Sequence, residues 1–317
     1  MPVVTGTNTP KVTTPPATGP ANSLGCKAFQ KDVTLSGIVA GKVEPLAKGA
    51  PKSEAVKTAQ CALFSLGFLA KRNGVDGAFG PGTEAAVKAF QAKAGIEETG
   101  KLDATTLKAL DKAGAAQISQ LKSQTAPAGS KRDKYEIVAD ISNSGHTRLY
   151  VVGKDGKVAA RYLTSPGRAE FPTQGTKFTV PDVMVRQPWN PPKSAWAANS
   201  KQVPPGIDNP MGIMKLSLGN YSQYIHGIPP SEEPELGKAA SHGCLRMSGS
   251  NILELGEKYA EAGTNVTINR DARRGNELEA KFEETFGAQD RPTDAGREYM
   301  FGYVSGELGQ GQHYSPK

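Results

Sequence analysis

The 317-residue sequence is short of the features that define several large protein classes. It has no long apolar run: the longest, Cys61 to Ala70, carries serine and glycine and is too short to cross a bilayer. The first residues show neither a basic patch nor an apolar segment, so no secretory signal is visible. Leu24-Gly25-Cys26 also lacks an apolar stretch before it and reads as an ordinary loop, not a lipid-attachment site. Lys and Arg (38) exceed Asp and Glu (31), but they form no dense run and no stripe interleaved with aromatics. That argues against a nucleic-acid-binding surface and leaves carboxylate-bearing polymers as partners for the charge. Neither Cys-x-x-Cys nor His-x-x-x-His spacing occurs, and no metal or organic cofactor is implied. Three cysteines, Cys26, Cys61 and Cys244, are too few for a disulfide framework. For the first two, a Cys26–Cys61 pair and two separate thiols both remain open.

What is present falls into segments. Residues 1–22 are rich in Pro, Thr and Gly with almost no large apolar side chains, and read as a disordered leader; up to residue 52 the chain is transitional. Residues 53–113 show helical periodicity. Val56, Ala59, Leu63 and Leu66 follow Ser53, an N-cap candidate. Thr83 is expected to cap a second helix carrying Glu84, Val87 and Phe90, and Asp103 a short third one with Leu107 and Leu110. Residues 114–132, rich in Ala, Gln, Ser and Lys, read as a linker, with helix open at its start, that lets two modules move independently. From 133 to 270 the pattern changes to strands: Tyr135 to Ile141, Thr147 to Val152, a turn at Lys154-Asp155-Gly156, Val158 to Leu163, Phe178 to Val180, Tyr224 to His226 and Val266 to Ile268. One helix interrupts them, begun by Ser250 and carrying Ile252, Leu253 and Leu255. The expected architecture is multidomain, a small three-helix domain followed by a mostly-β barrel or sandwich with one principal helix. Residues 271–317 form a charged, then Gly-rich tail with helix expected at Ala280 to Phe286.

The chemistry concentrates in Ser241-His242-Gly243-Cys244-Leu245-Arg246, with His226-Gly227 upstream. A cysteine becomes a working nucleophile when a base withdraws its proton and donors receive the charge on the attacked carbonyl. His226 supplies the first. Backbone N–H groups at Gly243 and Cys244 supply the second, because glycine allows the tight turn that exposes them.

This spaced motif resembles the signature of L,D-transpeptidases of the YkuD family. The resemblance extends to Thr173-Gln174-Gly175-Thr176-Lys177-Phe178, Pro188-Trp189-Asn190-Pro191-Pro192 and Val203-Pro204-Pro205-Gly206. It implies that Cys244 attacks the amide between the third stem residue of peptidoglycan and a terminal D-alanine, forming a thioester. An amine of a neighbouring stem, or of a protein, then takes the acyl group, in the stem case giving a 3→3 cross-link. It further implies His226 as base, oriented by the carbonyl of Gly227. Ser241 and His242 would line the site and Arg246 could hold a substrate carboxylate, with a structural role for each also open. Carbapenems are expected to acylate Cys244. Upstream, Leu66-Gly67-Phe68, Val75-Asp76-Gly77-Ala78-Phe79-Gly80, Thr83, Ala86-Val87, Phe90-Gln91, Gly95, Gly100 and Thr106-Leu107 resemble a peptidoglycan-binding module, although Phe79 and the glycines could serve the fold alone. Action in the periplasm or cell wall is the corresponding expectation, with no membrane span.

Other readings share these residues. With an acceptor groove open to water, the same thioester hydrolyses and the protein is an L,D-carboxypeptidase or endopeptidase, as in an antibacterial effector. A non-catalytic wall-binding protein would leave Cys244 and His226 idle. A zinc site from His226, His242 and Cys244 is permitted by ligand softness but unsupported by spacing.

Overall fold

A computed structural model describes residues 24–71, 74–124, 130–143, 147–219 and 222–309; the leader expected at 1–22 lies outside them. The transitional stretch contains two short helices, α1 (Lys27–Lys31) and α2 (Val33–Val39). Asp32 separates them and caps α2, accepting from Thr34 and Leu35 N–H at 3.0 Å. Helix α3 (Glu54–Ser65) starts at Ser53, whose hydroxyl accepts from Val56 N–H as expected. Helix α4 (Pro81–Ala94) begins two residues before Thr83, with Gly80 at the cap and Pro81 in the first turn. Thr83 is instead buried inside α4, where its hydroxyl meets Gln60 Nε2 at 2.9 Å.

Two buried glutamines stitch this module together. Gln60 bonds Asp76, the Ala78 carbonyl, Thr83 and the N–H of Gly77. Gln91 does the same for Thr99, the Lys101 carbonyl, Thr106 and the N–H of Gly100. Each amide satisfies loop backbone groups that would otherwise be stranded in the core. The glycines of the motif and the buried Phe79 thus have duties in the fold.

Helix α5 runs from Ala104 to Gln124, capped by Asp103 on Thr106 N–H at 2.7 Å. The third helix is therefore long, and much of the stretch expected as linker continues it. Ile118 and Leu121 are buried, so α5 packs into the core along its length. After α6 (Lys131–Lys134) come the strands β1 (Tyr135–Asp140), β2 (Arg148–Gly153), β3 (Val158–Leu163), β4 (Lys177–Thr179), β5 (Val183–Val185), β6 (Met214–Ser217), β7 (Tyr224–Gly227) and β8 (Leu245–Met247). Helix α7 (Gly249–Lys258), capped by Ser248 rather than Ser250, leads to β9 (Asn265–Asn269). The strands form two sheets, β3-β2-β1-β9-β4 and β5-β6-β7-β8.

The tail forms two helices, α8 (Ala272–Phe286) and α9 (Arg297–Ser305). Leu278 and Phe282 of α8 cover Val138, Tyr150, Val152 and Val158 on one face of the five-stranded sheet. Arg161, 1% exposed, ties α8 down: it pairs with Glu279 and with Asp290, each at 2.7 Å, and lies 4.3 Å from the Phe282 ring centroid. Helix α9 lies between the two modules. It packs on α1, α3 and α5 on one side and on α7 on the other. Phe301 meets Phe29 with ring centroids 5.2 Å apart. Ser65 at the end of α3 donates to the Arg297 and Glu298 carbonyls and accepts from Phe301 N–H. The helical module and the β domain consequently share one continuous apolar core.

Candidate active site

The four-stranded sheet places the chemistry. His226 on β7 is in register with Lys215 on β6, and on its other side with Arg246 on β8. Residues opposite one another in neighbouring strands project to the same face. Lys215, His226 and Arg246 therefore stand in a row, with the imidazole between two cations. Cys244 immediately precedes β8. It lines the same cleft of about 800 Å³ as these three residues, Ser241 and His242. Gly212 lets the preceding loop close against β7: a Cβ there would lie 2.7 Å from the Gly227 backbone.

His226 is 3% exposed, and its Nδ1 is 2.7 Å from the Gly227 carbonyl oxygen. That oxygen only accepts, so Nδ1 carries the proton and Nε2 presents a lone pair. Burial pulls the imidazole down to about 3, against the Gly227 carbonyl, which favours the charged form; Arg246 and Lys215 add to the depression. The resting ring is neutral and able to accept a proton. Burial likewise raises the Cys244 thiol, opposed by the Tyr224 main chain and by Arg246 and Lys215. Both groups are thus uncharged at rest, with the Tyr224 main chain, Arg246 and Lys215 favouring the thiolate form of Cys244 against burial.

The loop holding Cys244 is fixed by Ser241. Its buried hydroxyl donates to the Cys244 carbonyl at 2.6 Å and accepts from Gly243 N–H at 3.1 Å. Gly243 has φ +108°, where a side chain would be strained and would press on Gln223 at 2.9 Å. One of the two amides expected to receive an oxyanion, that of Gly243, is therefore already used inside the turn. Ser241 shapes the loop.

His242 forms one wall. Its ring stacks on Trp196 with centroids 4.0 Å apart and 17° between planes, and is tilted against Phe171 at 4.8 Å. An Arg168 guanidinium nitrogen lies 2.8 Å from His242 Nε2. Arginine only donates, so this ring is neutral with its proton on Nδ1. Burial, then Arg168 and Arg246, hold it below its ordinary value. Arg246 pairs with Glu232 at 3.2 Å, on the turn Pro230–Glu235.

Lys215, Arg168, Phe171 and Glu232 were not singled out in the sequence. Lys215 sits on β6, a strand the sequence pattern does not show; Arg168 and Phe171 share the loop between β3 and β4, Glu232 lies between β7 and β8, and none of the three carried a signal. Cys26 and Cys61 are both buried and are not joined in a disulfide; the Cys26 thiol donates to the Asp111 carbonyl at 3.4 Å. Among the described residues, no three His, Cys, Asp or Glu side chains gather as a metal site, so His226, His242 and Cys244 do not form one. No helix of the described residues is long and apolar enough to cross a membrane.

A buried, singly protonated imidazole and a loop cysteine thus line one cleft of a two-sheet β fold. Residues 134–268 match the family described as "L,D-transpeptidase catalytic domain", YkuD. Residues 52–110 match the family described as "Putative peptidoglycan binding domain". The chain carries a YkuD-type catalytic domain behind a peptidoglycan-binding-type domain. A relative from Bacillus subtilis (strain 168), "Putative L,D-transpeptidase YkuD", is 39% identical over 71 residues, 22% of this chain and 40% of that protein. The chain thus spans well under half the length of that relative. An L,D-transpeptidase structure from Mycobacterium smegmatis aligns at 18% identity over 43% of this chain and 58% of its own, TM-score 0.35. One from Mycobacterium tuberculosis H37Rv aligns at 20% over 43% and 58%, TM-score 0.33.

Proposed function

We propose that this protein is a peptidoglycan L,D-transpeptidase that works through a Cys244 thioester. The observation that carries the reading is the His226 ring, neutral, fixed by Gly227 and set in the cleft that Cys244 lines. As the thiol attacks the stem amide, its proton passes to His226 Nε2. The sulfur–carbon bond forms while charge moves to the carbonyl oxygen, towards the Cys244 N–H. Collapse expels the terminal residue as an amine, protonated by the imidazolium. An amine then attacks the thioester with His226 again taking the proton, and Cys244 leaves. Burial, helped by Arg246 and Lys215, keeps the imidazole uncharged between these events. The domain at 52–110 supports action at the wall, outside the cytoplasm, with peptidoglycan as partner.

Incubation with purified disaccharide-tetrapeptide, beside Cys244→Ala, tests this by mass spectrometry of the products. A cross-linked dimer with the terminal D-alanine lost, absent in the variant, is expected. Tripeptide alone would make the protein a hydrolase, and no Cys244-dependent product would sink the assignment. A carbapenem should add its mass to the wild type and not to Cys244→Ala.

A further inference from the structure

Two cations flank His226, and their surroundings differ. Arg246 is already paired with Glu232. Lys215, half-buried in the cleft wall, has no hydrogen bond or ion pair among the described residues; its Nζ sits 4.8 Å from the centroid of the Tyr224 ring. An aromatic face orients an ammonium but does not neutralise it. Removing a charge from water without a counter-ion is unfavourable, and an apolar side chain would fill this strand position at less cost. Glu170 and Glu232 are the other charged lining groups with negative sign, and Glu232 is held by Arg246. The position of Lys215, opposite His226 and within electrostatic reach of Cys244, puts an unmatched positive charge beside the reacting sulfur.

We propose that Lys215 is an anion-binding residue of this site, anchoring a free carboxylate that the acyl donor carries next to the amide attacked by Cys244. The assignment of the donor as a stem peptide rests on the proposed function; the anion site itself does not. Such a carboxylate has two sources in a stem, the terminal residue that leaves and the side chain of the third residue. Both present the same chemistry to an ammonium.

The direct test uses the full chain and two reagents of similar size, iodoacetate (anionic) and iodoacetamide (neutral). With either, the Cys244 thiolate forms a sulfur–carbon bond as iodide departs. The ratio of their rates cancels the thiolate fraction and reports the local charge. Labelled peptides distinguish Cys244 from Cys26 and Cys61. Lys215→Met should lower the acetate-to-acetamide ratio by about fivefold or more, the effect of roughly 1 kcal/mol of charge interaction. Lys215→Arg, which keeps the charge, should hold the ratio near wild type. An unchanged ratio in Lys215→Met, including one where both rates fall together, overturns the proposal. In the substrate arm, a donor amidated at its terminus and one amidated at the third residue's side chain are compared with the free acid. KM should rise for one of them in wild type and not in Lys215→Met. A shifted alkylation ratio with indifference to both amidations would overturn the carboxylate assignment. A shifted ratio with no turnover of any stem peptide would leave the anion site standing and remove the transpeptidase reading.

Discussion

At the scale of single residues, the site is governed by what surrounds two titratable side chains. His226 stays neutral when folded until about pH 3, whereas an unfolded histidine protonates near pH 6.5. Between those values the unfolded chain binds the extra proton, so stability is full above about pH 6.5 and declines as pH falls towards about 3. His226→Gln should flatten that part of the stability profile, measured by urea unfolding across pH. For Cys244 the shift has the opposite sense, since a raised thiol pKa leaves less thiolate at neutral pH. Iodoacetamide labelling should therefore keep accelerating above the ordinary thiol range near pH 8.5, without levelling off there. Ser241→Ala removes one donor and one acceptor from a buried turn and should cost about 1–3 kcal/mol in unfolding free energy, with reduced labelling selectivity at Cys244. That Cys244 and His226 share a cleft, and that Gly227 holds the His226 ring, was legible in the sequence because the motif is long, spaced and specific in residue type. Lys215 was not, because a single lysine acquires meaning only from the strand it is paired with.

At the scale of elements, legibility followed the strength of local signals. The α3 start was readable because Ser53 caps by its own side chain. The α4 start was not, because Gly80 and Pro81 begin the helix through backbone conformation, and Thr83 looks like a cap while serving the core. Strand β8 is three residues long and follows a glycine turn, too short to show alternation. Helix α9 was missed for a different reason. Its sequence, Arg-Glu-Tyr-Met-Phe-Gly-Tyr-Val-Ser, is buried on several sides and lacks the one-sided stripe of a surface helix. Helix α8 was expected only in its last turns; its anchor, Arg161, lies on β3, more than a hundred residues away. Arg161→Met should leave Glu279, itself partly exposed, without its guanidinium, while Asp290 keeps Arg148. A loss of about 1.5–3 kcal/mol is expected, measured by chemical unfolding.

At the scale of the molecule, the expectation of two modules joined by a free linker meets a single core. Helix α5 extends through the expected linker, and α9 fills the seam between α3 and α7. Phe301→Ala should remove about 3–5 kcal/mol, and the loss should appear as one unfolding transition shifted as a whole. Two separated transitions in the wild type would show that the modules melt independently and would contradict the shared core. Removing residues 1–113 to isolate the catalytic domain should expose the apolar side of α9 and yield aggregation. Substituting exposed residues of the 52–110 domain is the cleaner way to ask what it binds.

The seam helix also has a consequence in time. The Lys27 N–H donates to Glu307 at 2.7 Å, a contact that spans 280 positions of sequence. Closing so long a loop is entropically costly, and topologies rich in such contacts form late. During synthesis the helical module waits, its seam uncovered, until residues near 300 have left the ribosome. The chain reaches its finished form in one late event, and a nascent product stopped at residue 290 should remain open to protease within α3 and α5, where the full chain resists.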